Sequence, residues 1–178
     1  DLPWRREPTP YHVWLSEIML QQTRVEAVIP YYNRFLERLP DIKALAQVEE
    51  EELMKLWQGL GYYNRARNLK AAAEQAVQQY GGNLPADYGQ LLKLPGIGSY
   101  TAGAIASIAF GIVRPAVDGN VLRVAARILA SEEDIGQKKT RKKMEELLLS
   151  AMPEEQPGDF NQALMELGAL VCIPNGAP

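Results

Sequence analysis

The chain has 178 residues, 47% hydrophobic and 23% charged, with a formal net charge of -3; the length suits one domain or one two-lobed domain, and the apolar share excludes general disorder. One Cys and one His exclude an internal disulfide and a zinc site, and no apolar run reaches the ~18 residues that span a bilayer. The acidic balance, with a pI near 5.3, counts against a nucleic-acid binder.

Helical periodicity dominates throughout, and no alternating strand stands out. Thr9 is placed to cap a helix that starts at Pro10 and runs to about Gln22. Thr23-Arg24-Val25-Glu26 has the form of a capping box. The helix after it gathers Val25, Val28, Ile29, Tyr32, Phe35, Leu36 and Leu39 on one face, and Pro30 inside it predicts a kink. Glu49 to Gln58 is a short helix with Leu53, Leu56 and Trp57 inward, broken by Gly59 and Gly61. Asn64 to Tyr80 is an Ala-rich helix stopped by Gly81-Gly82. Tyr88 to Lys93 is another short helix, Pro95 to Gly98 a tight turn, and Ser99 starts a helix that ends near Gly111. Helices from about Gly119 to Ala130, Lys138 to Met152 and Asp159 to Val171 complete the set.

Roughly nine helices with short connections predict an all-α fold. Residues 26–112 read as one continuous lobe, with the helical hairpin at 88–110; the flanks 1–25 and 113–178 read as a second lobe. A cleft between two helical lobes is a common place for a site.

The strongest local signal is Leu94-Pro95-Gly96-Ile97-Gly98-Ser99-Tyr100-Thr101-Ala102. A hairpin of this kind presents backbone N–H groups at a helix N-terminus, which bind a phosphate without net positive charge. The glycines alone fit a plain turn between helices as well. Glu17 has Val13, Trp14 and Leu20 as its helical neighbours, an apolar stripe where desolvation would raise a carboxyl pKa. A solvated helix Glu is the alternative. Asp118 lies just before a predicted helix, where it is either an ordinary N-cap or a carboxylate kept charged by the helix dipole. Gln137-Lys138-Lys139-Thr140-Arg141-Lys142-Lys143 is the densest basic run; it attracts phosphate or is a solvated helix face flanked by acids. His12 reads as a surface or packing residue.

Taken together, several segments resemble one family. Leu94 to Gly103, followed by Val117-Asp118-Gly119-Asn120-Val121, is similar to the helix-hairpin-helix, Gly/Pro-rich loop and aspartate of DNA glycosylases. Ser16-Glu17-Ile18-Met19-Leu20-Gln21-Gln22-Thr23 and Trp57-Gln58-Gly59-Leu60-Gly61-Tyr62-Tyr63 narrow the resemblance to the MutY-type adenine DNA glycosylases. Phe160 to Ala169 and Cys172 agree with it. The resemblance implies a two-lobed helix-hairpin-helix glycosylase fold with an interlobe cleft. The implied reaction is hydrolysis of the N-glycosidic bond of adenine mispaired with 8-oxoguanine or guanine in double-stranded DNA, with the adenine flipped into a pocket.

The resemblance assigns the roles as follows. Glu17 protonates the base. Asp118 stabilises the cationic sugar, and Asn120 helps hold the water or Asp118. Tyr100 stands where bifunctional relatives such as endonuclease III carry a Schiff-base lysine, which implies a monofunctional enzyme. Gln162 and Arg5 contact the adenine edge, and Trp4 walls its pocket. Leu20, Gln22 and Tyr62 probe or wedge the stack, while Gln21 and Thr23 contact the opposite strand. Gly96 and Gly98 give N–H groups to a phosphate, and the carbonyls of Leu92, Leu94 and Ile97 hold a monovalent cation. Glu17 and Asp118 are expected to face one another across the cleft, with Tyr100 and Asn120 beside them.

Cys172 corresponds to the first of four cysteines that bind a [4Fe–4S] cluster in most of the family. The second would fall just past the end of this sequence, and Ile173 to Pro178 matches the run up to that point. One Cys cannot hold the cluster, so the chain is expected either to be cut before the cluster loop or to be a clusterless variant. The absence of an initial Met and of a domain for reading 8-oxoguanine points to a core of a longer protein. A monomer with no membrane partner is expected, in a bacterial-type cytoplasm near the nucleoid. The rivals are an endonuclease III-like glycosylase for oxidised pyrimidines and a non-catalytic DNA-binding helix-hairpin-helix module. A hairpin that binds through backbone N–H groups reduces the weight of the net charge.

Overall fold

The computed structural model describes residues 2–174, and every regular element among them is helical. In chain order these are α1 (Pro3–Arg6), α2 (Pro10–Leu20), α3 (Val25–Arg38), α4 (Ile42–Gln47), α5 (Glu50–Trp57) and α6 (Asn64–Tyr80). Then come α7 (Tyr88–Leu91), α8 (Ser99–Ala104), α9 (Gly119–Ile128), α10 (Lys138–Ala151) and α11 (Pro157–Glu166). Helices α8 and α11 each run on into a π-helical turn, Ile105–Ala109 and Leu167–Val171. No helix among the described residues is long and apolar enough to cross a membrane. The chain forms two compact units, residues 1–101 and 102–178.

The first unit is built on α2. Tyr11 and every residue from Val13 to Met19 are buried, so this helix is enclosed on all sides rather than amphipathic. Thr9 caps it as expected, accepting a bond from His12 N. Helices α1, α3 and α6 pack against α2, and α4 lies along α6. The small buried face of α6, Ala66, Ala72, Ala73 and Ala76, lets that neighbour approach closely. Val28, Tyr32, Phe35 and Leu39 are buried, as the apolar face of α3 predicts. Phe35 meets Trp57 of α5 edge to face at 6.1 Å. Helix α3 runs unbroken through Pro30, which is exposed.

Two local expectations fail for physical reasons, and one helix is present that the periodicity does not predict. The capping box at Thr23 does not form: Arg24 occupies the cap of α3 without a side-chain bond. The Thr23 hydroxyl instead donates to Gln21 O and accepts from Arg65 Nη2, each at 3.3 Å, because a longer-range partner is available. Helix α2 ends at Leu20, before the predicted Gln22, since Gln22 takes a left-handed conformation with φ 56°. Helix α4 has no counterpart in the periodicity; its six residues are too few for a pattern, and Asp41 starts it by accepting from Ala44 N at 2.7 Å.

The second unit has its core at Val121, Leu122, Ala125, Met144 and Leu148, joined by Val117, Ile135, Phe160, Leu164 and Met165. The extended segment leading to α9 is held by one buried amide. Asn161 is fully buried on α11. Its Nδ2 donates to Ser107 Oγ at 2.7 Å and to Arg114 O at 2.9 Å, while its Oδ1 accepts from Ala116 N at 3.0 Å. Ser107, in the π-helical turn, donates in turn to Gly103 O at 2.8 Å, a side-chain bond that competes with regular helical pairing. Gly103 is required by close approach, because a Cβ there would stand 2.4 Å from Pro115 O. Replacing Asn161 by Ala leaves the buried Ala116 N–H without this acceptor and removes two further bonds, so Asn161→Ala should destabilise the chain by about 2–4 kcal/mol in urea unfolding.

Candidate active site

The expected site residues fall in both units, and each set is organised within its own unit. In the first, Glu17 lies in the third turn of α2 and is only 9% exposed. Of the apolar stripe read from the sequence, Val13 and Trp14 are buried and Leu20 is half-buried. Trp4 is buried on α1 and packs edge to face on Tyr32 at 5.3 Å. Arg5 is exposed on the same turn.

The end of α2 leads to the residues expected to meet DNA. Leu20, Gln21 and Thr23 are half-buried, and Gln22 is exposed. Tyr62, after the Gly59–Gly61 break, is 66% exposed and also left-handed, with φ 49°. A non-glycine residue in this conformation is strained by roughly 1–2 kcal/mol, so something must hold both.

That holder is Arg65, in the first turn of α6. Its Nη1 donates to Ile18 O, Met19 O and Gln21 O at 2.8, 3.0 and 2.6 Å. Its Nη2 donates to Leu60 O at 3.0 Å and to Gly61 O at 3.3 Å. The guanidinium thus takes up carbonyls that helix α2 leaves unpaired at its negative end. It also lies 5.4 Å from the Trp57 ring and 5.7 Å from the Tyr62 ring. Trp57 Nε1 donates to the same Gly61 O at 3.1 Å. Sequence reasoning missed Arg65. One local signal existed: a cation in the first turn of a helix opposes the dipole, so it needs another reason to be there.

The hairpin is the third feature of this unit. Asp87 caps α7 by accepting from Gln90 N at 2.7 Å. Leu94 N donates to Leu91 O at 3.1 Å and Ile97 N to Leu94 O at 3.2 Å, which folds the turn. Gly96 has φ 75°, and a Cβ there would stand 2.8 Å from Asn68 Cβ, so only glycine fits. Gly96 and Gly98 are both exposed, and Tyr100 is half-buried in the first turn of α8. Leu94 O accepts from Ile97 N, and it and the carbonyls of Leu92 and Ile97 are neutral oxygen donors of the kind a monovalent cation takes.

In the second unit Asp118 caps α9, its Oδ1 accepting from Val121 N at 2.8 Å. Its Oδ2 accepts from Asn120 Nδ2 at 3.1 Å. Asn120 is fixed from behind by Arg123, whose Nη2 donates to Asn120 Oδ1 at 3.0 Å and to Gly168 O at 2.8 Å. Arg123 Nε donates to Cys172 O at 2.7 Å, which ties the end of the last helical segment to α9. Arg123 and Asn161 are further residues that the motifs alone did not single out. Gln162 follows Asn161 on α11 and is half-buried.

Cys172 is buried, with Arg127 Nη1 2.9 Å from its Sγ. It is one thiol where a [4Fe–4S] cluster takes four, and no metal-holding group of His, Cys, Asp or Glu occurs among the described residues. The residues present therefore do not fit the cluster. Residues 175–178, part of the run matched to the cluster segment, lie outside the described residues. The basic run lies on α10 with all its cations exposed; Lys143 pairs with Glu133, and Lys142 is 3.9 Å from Glu146. Lys143 holds the Glu133 carboxyl below its usual range by hydrogen bonding.

Comparison with known proteins gives consistent relatives. Residues 15–149 match the family described as HhH-GPD superfamily base excision DNA repair protein. The adenine DNA glycosylase of Homo sapiens is 46% identical over 183 residues, which span 98% of this chain and 34% of that protein. The adenine DNA glycosylase of Buchnera aphidicola subsp. Acyrthosiphon pisum is 42% identical over 173 residues, 97% of this chain and 49% of that protein. Across such curated relatives the chain spans about a third to a half of their length. Among solved structures, a thermostable thymine-DNA glycosylase is 31% identical with a TM-score of 0.89, over 98% of this chain and 81% of that one. A trapped endonuclease III–DNA covalent intermediate is 26% identical with a TM-score of 0.81, over 94% of this chain and 78% of that one.

Proposed function

The chain belongs to the HhH-GPD superfamily of base excision DNA repair proteins, and from that premise we propose that it is a monofunctional adenine DNA glycosylase. It hydrolyses the N-glycosidic bond of adenine mispaired with 8-oxoguanine or guanine in double-stranded DNA. The observation that carries this reading is Glu17, a carboxyl enclosed on an apolar helix at 9% exposure. A carboxyl held beside a flipped adenine is a group of the kind that passes a proton to a leaving base. Adenine leaves poorly as an anion, and a flipped adenine therefore needs that proton on its ring.

Asp118 supplies the complementary charge as the sugar becomes oxocarbenium-like. Val121 N–H and Asn120 Nδ2 hold both of its oxygens, so its orientation does not have to be found during the reaction. Asn120, itself locked by Arg123, is also the amide available to position the water. Tyr100 supports the monofunctional assignment, because a phenol cannot form a Schiff base. Gln162, Arg5 and Trp4 meet the flipped base, while Leu20, Gln21, Gln22, Thr23 and Tyr62 meet the mispair and its opposite strand. The exposed turn at Gly96 and Gly98 takes a phosphate through backbone N–H groups. A monovalent cation on the hairpin carbonyls adds positive charge there when bound. The 42–46% identity to curated adenine DNA glycosylases supports the choice of base.

The test is a single-turnover assay on a duplex with adenine opposite 8-oxoguanine. The expected result is adenine release with the strand left intact until base is added, and no adduct on borohydride treatment. A borohydride adduct together with cleavage of an oxidised-pyrimidine duplex would establish the endonuclease III-like alternative. Duplex binding with no base release from either substrate would establish a non-catalytic module.

A further inference from the structure

Two short segments of the first unit carry an exposed side chain on a left-handed backbone. Gln22 follows the end of α2, and Tyr62 follows the Gly59–Gly61 break. They are 40 positions apart in sequence, at residues 22 and 62. In each case the peptide carbonyl immediately before the strained residue accepts a bond from Arg65: Gln21 O at 2.6 Å and Gly61 O at 3.3 Å. Tyr62 is held on its other side as well, since Tyr62 O accepts from Arg65 N at 2.9 Å.

We propose that Arg65 is the positioning residue that sets Gln22 and Tyr62 as one rigid pair for reading the mispair. This deepens the glycosylase reading above and rests on it. A guanidinium is suited to the task because its two NH2 groups diverge in a fixed plane. One arm, Nη1, serves the end of α2. The other, Nη2, serves Leu60, Gly61 and the Thr23 hydroxyl. The Trp57 ring covers the same guanidinium and shares Gly61 O with it, which fixes the fork from a third direction. A side chain that wedges a base stack or feels for a lesion loses discrimination if it first has to be ordered. Tyr62 offers an aromatic face of the kind on which bases stack, and Gln22 offers an amide that can donate and accept. Fixing one relative to the other turns two contacts into a single geometric test of the pair.

A lysine keeps the charge but presents its three donors from one nitrogen, without the two diverging NH2 groups that reach the two segments. The experiment compares the parent chain with Arg65→Lys and Arg65→Met. Hydrogen exchange by mass spectrometry follows peptides over 20–24 and 58–63, with α10 as reference. Duplexes carrying adenine opposite 8-oxoguanine or opposite thymine are titrated in parallel. In Arg65→Met, exchange should rise together in both segments and not in α10. The preference for the mispaired duplex should fall at least about tenfold, with matched-duplex affinity changed less than about twofold. Arg65→Lys should restore protection in one segment at most, with little of the preference.

Three results overturn the proposal: loosening in one segment only, loosening throughout residues 2–101, or loosening of both segments with the preference intact. The second would mark a plain folding role. If the parent itself shows no mispair preference, the glycosylase reading fails instead, and the exchange data still decide whether Arg65 couples the two segments.

Discussion

Glu17→Gln should leave the fold and duplex binding intact and remove most of the base release. Glutamine matches glutamate in volume and helix propensity, so α2 keeps its packing among Trp14, Leu15 and Ile18. Stability should change by no more than about 1 kcal/mol, because no cavity is made. The amide has no acidic proton to transfer. Loss of a positioned general acid should slow single-turnover adenine release by on the order of 10²–10⁴-fold, or roughly 3–5 kcal/mol in the barrier. Affinity for the mispaired duplex should stay within about threefold of the parent, since the mispair is met by other residues. Adenine release at the parent rate would refute Glu17 as the acid.

Asp118→Asn should produce the second-largest loss, and again without unfolding. Asp118 has a structural duty as the N-cap of α9, through Val121 N at 2.8 Å. Asparagine caps helices about as well as aspartate, so that duty survives. What disappears is the negative charge offered to the developing sugar cation. Removing one preorganised electrostatic partner commonly costs on the order of 10²–10³-fold in rate, about 3–4 kcal/mol. Asp118→Ala should lose the rate and, in addition, about 1 kcal/mol of stability from the cap. Equal unfolding midpoints for all three proteins would show that Asp118 does not cap α9 in solution. Equal rates for the parent and Asp118→Asn would end its electrostatic role.

The placement of both carboxyls is legible in local spacing, while the roles expected of them come from the family resemblance. Glu17 stands out because helical neighbours three and four positions away are apolar, and it is buried in the fold. Asp118 stands out because it precedes Gly119 and Asn120 at a helix start, and it caps that helix. The helices at Asn64–Tyr80 and in the Leu94–Ser99 hairpin region follow from the same kind of reading, from periodicity and from glycine at a turn.

The supporting residues are not legible in this way. Arg65 bonds carbonyls 44 to 47 positions away in sequence. Asn161 reaches Ser107, Arg114 and Ala116 across 45 to 54 positions. No window of neighbouring residues encodes such partners. The failed capping box shows the same limit from the other side. Thr23 has the right local spacing to cap α3, but Arg65 offers its hydroxyl another bond.

By itself, then, the sequence determined what recurs at short range: an all-helical chain, a glycine-dependent hairpin, an acid on an apolar stripe and an aspartate at a helix start. The tertiary structure alone decided which side chains hold the working segments in place. The physical reason is that helix periods, caps and turns are written in residues one to four positions apart. A side chain that satisfies distant backbone carbonyls is chosen by where the folded chain leaves those carbonyls unpaired.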